Sequence, residues 1–424
     1  MDQQTILIDQ NDWQRTPAKV QQLINFLVSE VNRVNSSFSS ELKRRLATYQ
    51  HAQLPRQEKQ VVMISPNLTA RQYKYARAIT KLGWEVILIS EVEPSVNNRN
   101  NFSQIIQSQD PVQTLELALK FRPSAYHLFT SWKFELPAFL IASGLKPVVF
   151  DDYDVMSGCV IEDRPDNYPS DEMLLMERFC LENATALSLR DARIAVAKRR
   201  ANLKPNKLAL CLDGACTEEE ARKLRQPKLT DGIHAVYVGN LCDPTSTRPR
   251  NFHFELARVL SNSSIHYHIY PSYMDDYHKY KAVMNQLAPR YSRPDLIHIH
   301  ETLPADQLIP EISKYHFGID VISTSVDRTP DDHPFYNFDN TDYGVDNKLF
   351  DYISAGLFTF SHNSKTCKRI LERYKLGLQV KSFDEIAQEA HRRYREPFPE
   401  IPEVLTTDYW ARRLVKMYGE LLSE

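Results

Sequence analysis

The segment from Asn340 to Phe360, NTDYGVDNKLFDYISAGLFTF, carries the residues best suited to chemistry. A loop runs into a short helix over Asn347–Ser354, which ends near Gly356 before an apolar strand. A helix N-terminus presents unbonded N–H groups and partial positive charge, which suits a diphosphate. Lys348 adds a full cation in the first turn, and Asp351, three residues on, shares its face. A carboxylate there can accept hydrogen bonds from both ribose hydroxyls. The spacing fits a nucleoside diphosphate, with phosphates at the helix start and ribose beside the first turn. The competing reading is a solvated intrahelical pair, worth about a few tenths of a kcal/mol.

Other groups leave alternatives open. Asp151-Asp152-Tyr153-Asp154 follows the apolar strand Pro147–Phe150. Acids at a strand's carboxyl end often face a ligand, so Asp152 and Asp154 are candidates for acceptor contact or base. The same acids also read as a metal-binding D-x-D, or as a solvated turn. His127 lies in the strand Ala125–Phe129; it is either a catalytic neighbour of the reacting sugar or an ordinary strand histidine. His266/His268 and His298/His300 have period-two spacing, so each pair shares a sheet face. Such pairs could ligate a metal, but no third ligand is near in sequence, and structural histidines are the expectation. Lys198-Arg199-Arg200 reads as a solvated helix end rather than a nucleic-acid contact.

The elements that must position these residues alternate. Val61–Ile64, Trp84–Ser90, Ala125–Phe129, Pro147–Phe150, Ala186–Leu189 and Lys207–Leu212 read as strands, with helices at Arg71–Leu82, Thr114–Lys120, Leu136–Ala142, Asp171–Leu181 and Asp191–Arg200. Alternation of this kind predicts parallel sheets. A linker is expected around Gln226–Gly232, and a second series follows. Its strands are Ala235–Val238, His266–Tyr270, Leu296–His300, Phe317–Val321 and Leu357–Ser361, and its helices are Asn251–Leu260, Gln307–Tyr315, Asn347–Ser354 and Tyr409–Leu422. Two open α/β sheets facing each other would make a cleft for a donor on one side and an acceptor on the other. Residues 1–55 differ: Val20, Leu23, Ile24, Phe26, Leu27, Val31 and Val34 have helical spacing, for a packed extension or a contact with a membrane surface or partner.

Composition narrows the class. The chain has 424 residues, enough for two domains. Its net charge of -2 gives no global field for nucleic acid. No apolar stretch reaches the roughly 18 residues of a membrane span. The N-terminus lacks a secretory pattern, so the expected location is cytoplasmic, with a peripheral contact at the inner membrane face as an option. The six cysteines contain no C-x-x-C pair. Only 11 glycines occur, so a phosphate site here must rely on side-chain cations or few glycines.

Asn347-Lys348-Leu349-Phe350-Asp351-Tyr352-Ile353-Ser354-Ala355-Gly356-Leu357 resembles the donor-site signature of GT-B glycosyltransferases, in particular the retaining, family 4-like group. Tyr237-Val238-Gly239-Asn240-Leu241 resembles the first strand and loop of their donor domain, and His316–Asp320 the strand before the donor loop. Arg71–Ile89 resembles the first helix and second strand of the acceptor domain, and the terminal helix resembles one that crosses back to that domain. The resemblance spans residues 60–424. It implies that Lys348 contacts the donor diphosphate, Asp351 the ribose, and Arg248 or Arg250 the phosphates, with Gly239, Asn240 and Asn347 lining the same site. The acidic residue is Asp rather than the usual Glu, and Tyr343 stands where the group's first glutamate would fall. The sugar-contacting acid is left to Asp342 or Asp346.

The expected architecture is therefore α/β of GT-B type, with two Rossmann-like doubly wound domains. It comprises a helical extension (1–55), an acceptor domain (56–228), a donor domain (229–404) and a crossover helix (405–424). The expected activity is sugar transfer from a nucleotide-diphosphate sugar to a glycan, lipid-linked or other hydroxyl acceptor. By the resemblance it is retaining and metal-independent, with no cofactor beyond the co-substrate. The alternative is a non-catalytic nucleotide- or glycan-binding module of the same fold.

Overall fold

The computed structural model describes residues 56–94, 96–130, 132–156, 170–190, 208–241, 252–321, 344–362 and 364–422. The chain divides into two compact units, Met1–Leu212 with Trp410–Glu424, and Asp213–Tyr409. The extension 1–55, the basic segment 191–200, and Arg248 and Arg250 lie outside the described residues, as do Asp342 and Tyr343.

The first unit runs β1 (Gln57–Ser65), α1 (Ala70–Lys81), β2 (Glu85–Ser90), β3 (Gln104–Gln107), α2 (Pro111–Ala118), β4 (Pro123–Thr130), α3 (Glu135–Ala142), β5 (Val148–Asp152), α4 (Asp171–Asn183), β6 (Ala186–Leu189) and β7 (Leu208–Leu210). The strands form one seven-stranded sheet in the order β3-β2-β1-β4-β5-β6-β7. Its strands pair in parallel throughout. Strands covered on both faces read as unbroken apolar runs, and Val61–Ile64 and Val86–Ile89 are buried throughout. α1 begins on a capping box between Thr69 and Gln72. It ends before Gly83, whose φ of 77° lets the chain turn into β2.

The second unit runs α5 (Glu218–Leu224), β8 (Ile233–Gly239), α6 (His253–Asn262), β9 (Ile265–Pro271), α7 (Met274–Leu287), β10 (Ile297–Ile299), α8 (Ala305–Ser313), β11 (Phe317–Asp320), α9 (Asn347–Ala355), β12 (Phe358–Ser361), α10 (Lys365–Tyr374), β13 (Gly377–Gln379) and α11 (Phe383–Arg393), and the last helix, α12 (Thr407–Leu421), belongs to the first unit from Trp410 onward. Its six-stranded parallel sheet has the order β10-β9-β8-β11-β12-β13. In both sheets the order reverses after the first strand, between β1 and β4 and between β8 and β11. Open α/β sheets take ligands outside the carboxyl ends of the strands at that switch point. In the second sheet those ends are Gly239 of β8 and Asp320 of β11.

The units divide at Leu212/Asp213, ahead of the linker expected near residue 228. α5 explains the difference: the segment just after it, with Arg225 and Lys228, holds the end of α9 in the second unit. Six elements had no counterpart in the sequence reading: β3, α5, α7, α10, β13 and α11. Most are short or polar; α7 buries only Tyr277, Tyr280 and Met284 among charged neighbours. The four described cysteines form no disulfide with one another. No described helix is long and apolar enough to cross a membrane.

Candidate functional site

α9 is clamped to the sheet at its middle and its end. Tyr352 lies against Gly318 of β11, with its hydroxyl donating to the Ile319 carbonyl at 3.0 Å and accepting the Val238 N–H at 2.9 Å. The helix ends at Gly356, in the left-handed region at φ 69°. Two cations then take its last carbonyls. Arg225 donates to Ser354 O and Ile353 O at 3.0 and 3.2 Å, and Lys228 to Gly356 O at 2.9 Å. Cations at a helix carboxyl end also complement its dipole. Burial, with Arg225 nearby, pushes the Lys228 ammonium down to about 7.

The other end of α9 is arranged differently. Its N-cap residue, Asp346, makes no side-chain capping bond. Instead Asp346 turns to Lys348, carboxylate to ammonium at 3.0 Å, and the same ammonium lies 3.4 Å from Asp320. It also sits over the Tyr237 ring, 4.9 Å from the centroid. The Lys348 side chain is only 14% exposed, so it does not extend into bulk water. Burial alone would lower its pKa, but Asp346, Tyr237 and Asp320 hold it well above the ordinary value. Burial pushes the Asp320 carboxyl up to about 7, with Lys348 opposing and Asp346 adding to the rise. The cluster is thus a buried cation between two carboxylates, of which Asp320 readily takes a proton.

Around it, buried polar atoms have no hydrogen-bond partner among the described residues. These are Ser361 Oγ and His253 Nε2. Ser361 pairs in register with Asp320 at the ends of β12 and β11. His253 opens α6, packs 4.4 Å from the Tyr237 ring, and uses its Nδ1 on the Tyr267 hydroxyl at 2.8 Å. Burial and the Lys348 charge push its imidazole down to about 3, so it is neutral near pH 7. Buried polar groups without partners are costly and uncommon in native proteins, and these two lie beside Asp320 and within reach of the Lys348 charge.

The sequence-derived donor residues fall partly at this place. Lys348 and Asn347 lie in the first turn of α9, Asp351 is half-buried one turn on, and Gly239 ends β8 with Asn240 exposed just after it. Sequence reasoning passed over Asp320, Tyr237, His253 and Ser361. Asp320 carried a legible signal, an acid closing the apolar strand before the donor segment; the other three needed the fold.

In the first unit the structure corrects the reading of His127 as a catalytic group. Every atom of its side chain is buried, its ring stacks on Phe129 at 4.0 Å, and its Nδ1 meets the Tyr418 hydroxyl at 2.5 Å. Its Nε2 stands 3.5 Å from Asp151, an electrostatic contact too long for a good hydrogen bond. Burial lowers its pKa, with Asp151 opposing. Asp151 is gripped by Arg71 at 2.9 and 2.7 Å, and Arg71 also donates to Cys211 O at 2.8 Å. Burial works to raise the Asp151 carboxyl, but Arg71 and His127 hold it at about 2. The assembly is a core fastening that ties β4, β5, α1 and α12 together. Asp152 is also buried, at the end of β5, and Asp154 lies 3.7 Å from Arg190, which covers Tyr153. An acid inside the sheet and an acid in an ion pair are poorly placed to meet an acceptor.

The histidine pairs gain what sequence spacing lacked. β8 brings His234 beside His266 and His268, and their ligand atoms all lie within 4.8 Å of one another.

No family model matches the chain, and no curated protein matches it in sequence. Solved structures match its fold. Sucrose-phosphate synthase from Thermosynechococcus elongatus is similar at TM-score 0.54 and 15% identity, over 86% of this chain and 94% of that one. A glycosyltransferase involved in avilamycin A biosynthesis is similar at TM-score 0.52 and 11% identity, over 86% and 98%. UDP-GlcNAc 2-epimerase from Methanocaldococcus jannaschii is similar at TM-score 0.52 and 8% identity, over 85% and 99%. The chain has the GT-B fold. Within the GT-B architecture the second sheet carries the cluster around Lys348 at its switch point, and the first carries the Arg71–Asp151 fastening at its centre.

Proposed function

We propose that this GT-B protein transfers a sugar from a nucleotide-diphosphate donor to a hydroxyl acceptor, in the manner of the retaining, family 4-like group. The donor diphosphate is taken by Lys348 and the amino end of α9. One observation carries this reading: a buried ammonium sits at a helix N-terminus lacking a side-chain cap, beside the switch point of a parallel sheet. Asp346, whose side chain is 38% exposed, is the partner a phosphate oxygen displaces. Asp320, with its raised pKa, goes neutral and so does not repel the incoming anion. Asp351 meets the ribose, and Ser361 and the neutral His253 offer hydrogen bonds to the phosphates or sugar.

When the glycosidic bond forms, the nucleoside diphosphate departs as an anion. Preorganised positive charge is the largest aid to such a step. Lys348 and the helix dipole supply it from the chain itself, so no metal is required by this reading. The acceptor is a glycan or other hydroxyl compound.

A second reading is a nucleotide-sugar binder without turnover, favoured by the two carboxylates already on Lys348 and by Tyr343 in place of an acid. A panel of UDP, GDP, ADP and TDP separates the cases by thermal shift, since a ligand at 100 times its dissociation constant stabilises by about 2.7 kcal/mol. The expected result is a shift with one nucleotide that is lost in Lys348→Ala. Slow hydrolysis of the matching nucleotide sugar then distinguishes transferase from binder. No shift with any nucleotide overturns both readings.

A further inference from the structure

Six histidines form a patch on the second sheet, with His234, His266 and His298 near the amino ends of β8, β9 and β10 and the cluster around Lys348 at the other end of β8. His234 is the second residue of β8 and Gly239 its last, so the two places are about 17 Å apart along the strand. Parallel register sets His234 beside His266 and His268 beside His298. The rings stack across the strands, His234 on His266 at 4.2 Å and His268 on His298 at 4.4 Å. Edge-on contacts link the stacks: His234 Nδ1 to His268 Nε2 at 2.9 Å and His266 Nδ1 to His298 Nε2 at 3.0 Å. His268 Nδ1 continues to His300 Nε2 at 2.9 Å, and His316 flanks His234. Six imidazoles in one patch are not explained by sheet packing, which fills such positions with Val and Ile.

We propose that His234, His266 and His268 bind a borderline divalent transition metal of the Zn2+ or Ni2+ class. Three features carry the assignment. Their ligand atoms already lie within 4.8 Å of one another. Tetrahedral zinc with Zn–N bonds of about 2.0–2.1 Å sets its ligand nitrogens about 3.3 Å apart, and the His234–His268 pair at 2.9 Å needs to open by only a few tenths of an ångström. The stacked His266 ring closes the remaining distance by turning about its Cβ–Cγ bond.

The second feature is the outer shell. Metal-bound histidines donate their other N–H to a carboxylate or similar group. Asp231 Oδ1 lies 3.0 Å from His234 Nε2, which fixes His234 Nδ1 as the atom with a free lone pair. His300 does the same for His268 once His268 carries its proton on Nδ1. That change is a tautomer shift along the chain of imidazoles: the ion takes the place of the proton between His234 and His268, that proton moves to His268 Nδ1, and His300 shifts its own proton from Nε2 to Nδ1 so that its Nε2 accepts from His268, and none is lost. The third feature is access. His266 and His298 are half-buried, and a pocket lined by Lys281, Tyr291, His298 and His300 opens beside them.

The test uses the full chain stripped with a chelator, titrated with Zn2+ by calorimetry and with Co2+ by visible absorption. The expected result is one Zn2+ per chain and the strong ligand-field bands of tetrahedral Co2+. Asp231, exposed at the strand entrance, can be changed without disturbing the core, and Asp231→Asn is expected to weaken Zn2+ affinity about 10–100-fold. His266→Ala, checked for folding by circular dichroism, is expected to abolish the Co2+ bands. Absence of stoichiometric binding overturns the proposal. So does binding that is unchanged in both Asp231→Asn and His266→Ala, which would place the ion elsewhere.

Discussion

Replacing Gly318 with alanine tests how α9 is seated. A Cβ at this position would lie 2.4 Å from Cγ and 2.5 Å from Cδ2 of Tyr352. Ordinary carbon contacts need about 3.5 Å, so one partner must move by about 1 Å. Tyr352 has nowhere to go. It is fully buried, and its hydroxyl is held by Val238 N–H and Ile319 O on two neighbouring strands. The helix itself must therefore lift. Overpacking of this kind costs about 1–3 kcal/mol, and the two strained hydrogen bonds add about 1 kcal/mol in total. With a sum near 3 kcal/mol, a domain of this size should melt about 6–12 °C lower. Lys348, four residues before Tyr352 on the same helix, moves with it, so the nucleotide-dependent thermal shift should fall as well. Differential scanning calorimetry of the purified protein, with and without nucleotide, reads both effects. A variant melting within about 1 °C of the parent would refute the reasoning, since a cost of several kcal/mol in a unit of this size cannot be that quiet.

Gly419→Ala is the natural contrast: nothing lies within 4 Å of a Cβ there, and the site is inside α12, so thermal unfolding should show a gain of about 0.5–1 kcal/mol. Arg71→Met leaves Asp151 buried without its bidentate partner and should cost about 3–5 kcal/mol by denaturant unfolding. In the parent, Asp151 has a folded pKa of about 2 against 3.8 unfolded, so its stabilisation is complete above 3.8 and is lost as pH falls through about 2. Asp320 has the opposite sign: its folded value of about 7 exceeds 3.8, so its contribution is full below 3.8 and is lost as pH rises through about 7. Stability curves of the parent and Asp320→Asn should therefore run together below 3.8, diverge as pH rises from 3.8 to about 7 with the parent falling relative to the variant, and run parallel above that.

The alternating elements were legible because parallel strands buried on both faces must be apolar throughout, and Val61–Ile64 or Phe317–Ile319 can hardly be anything else. The helix over Asn347–Ala355 was legible too, from its apolar spacing and the glycine that stops it. Lys348 stood out by charge and position alone. What the residues around it do was not legible. Asp320 reaches Lys348 from a different strand, and nothing local reveals that its carboxyl is buried. His127 and Asp152 read as functional because polar residues at strand ends so often are. The packing of Arg71 onto Asp151, 80 residues away, and of Tyr418 onto His127 gives the first of them a place in the core.

The histidines show the division most plainly. Period two placed His266 with His268 and His298 with His300 on one face, since side chains alternate along any strand. Only the order β10-β9-β8 and its register could add His234 and turn separate pairs into a continuous patch. Local sequence determines which way a side chain points within its own strand. Which strand lies alongside is decided by the crossover connections and the burial of whole faces, and that free energy is spread across the entire sheet.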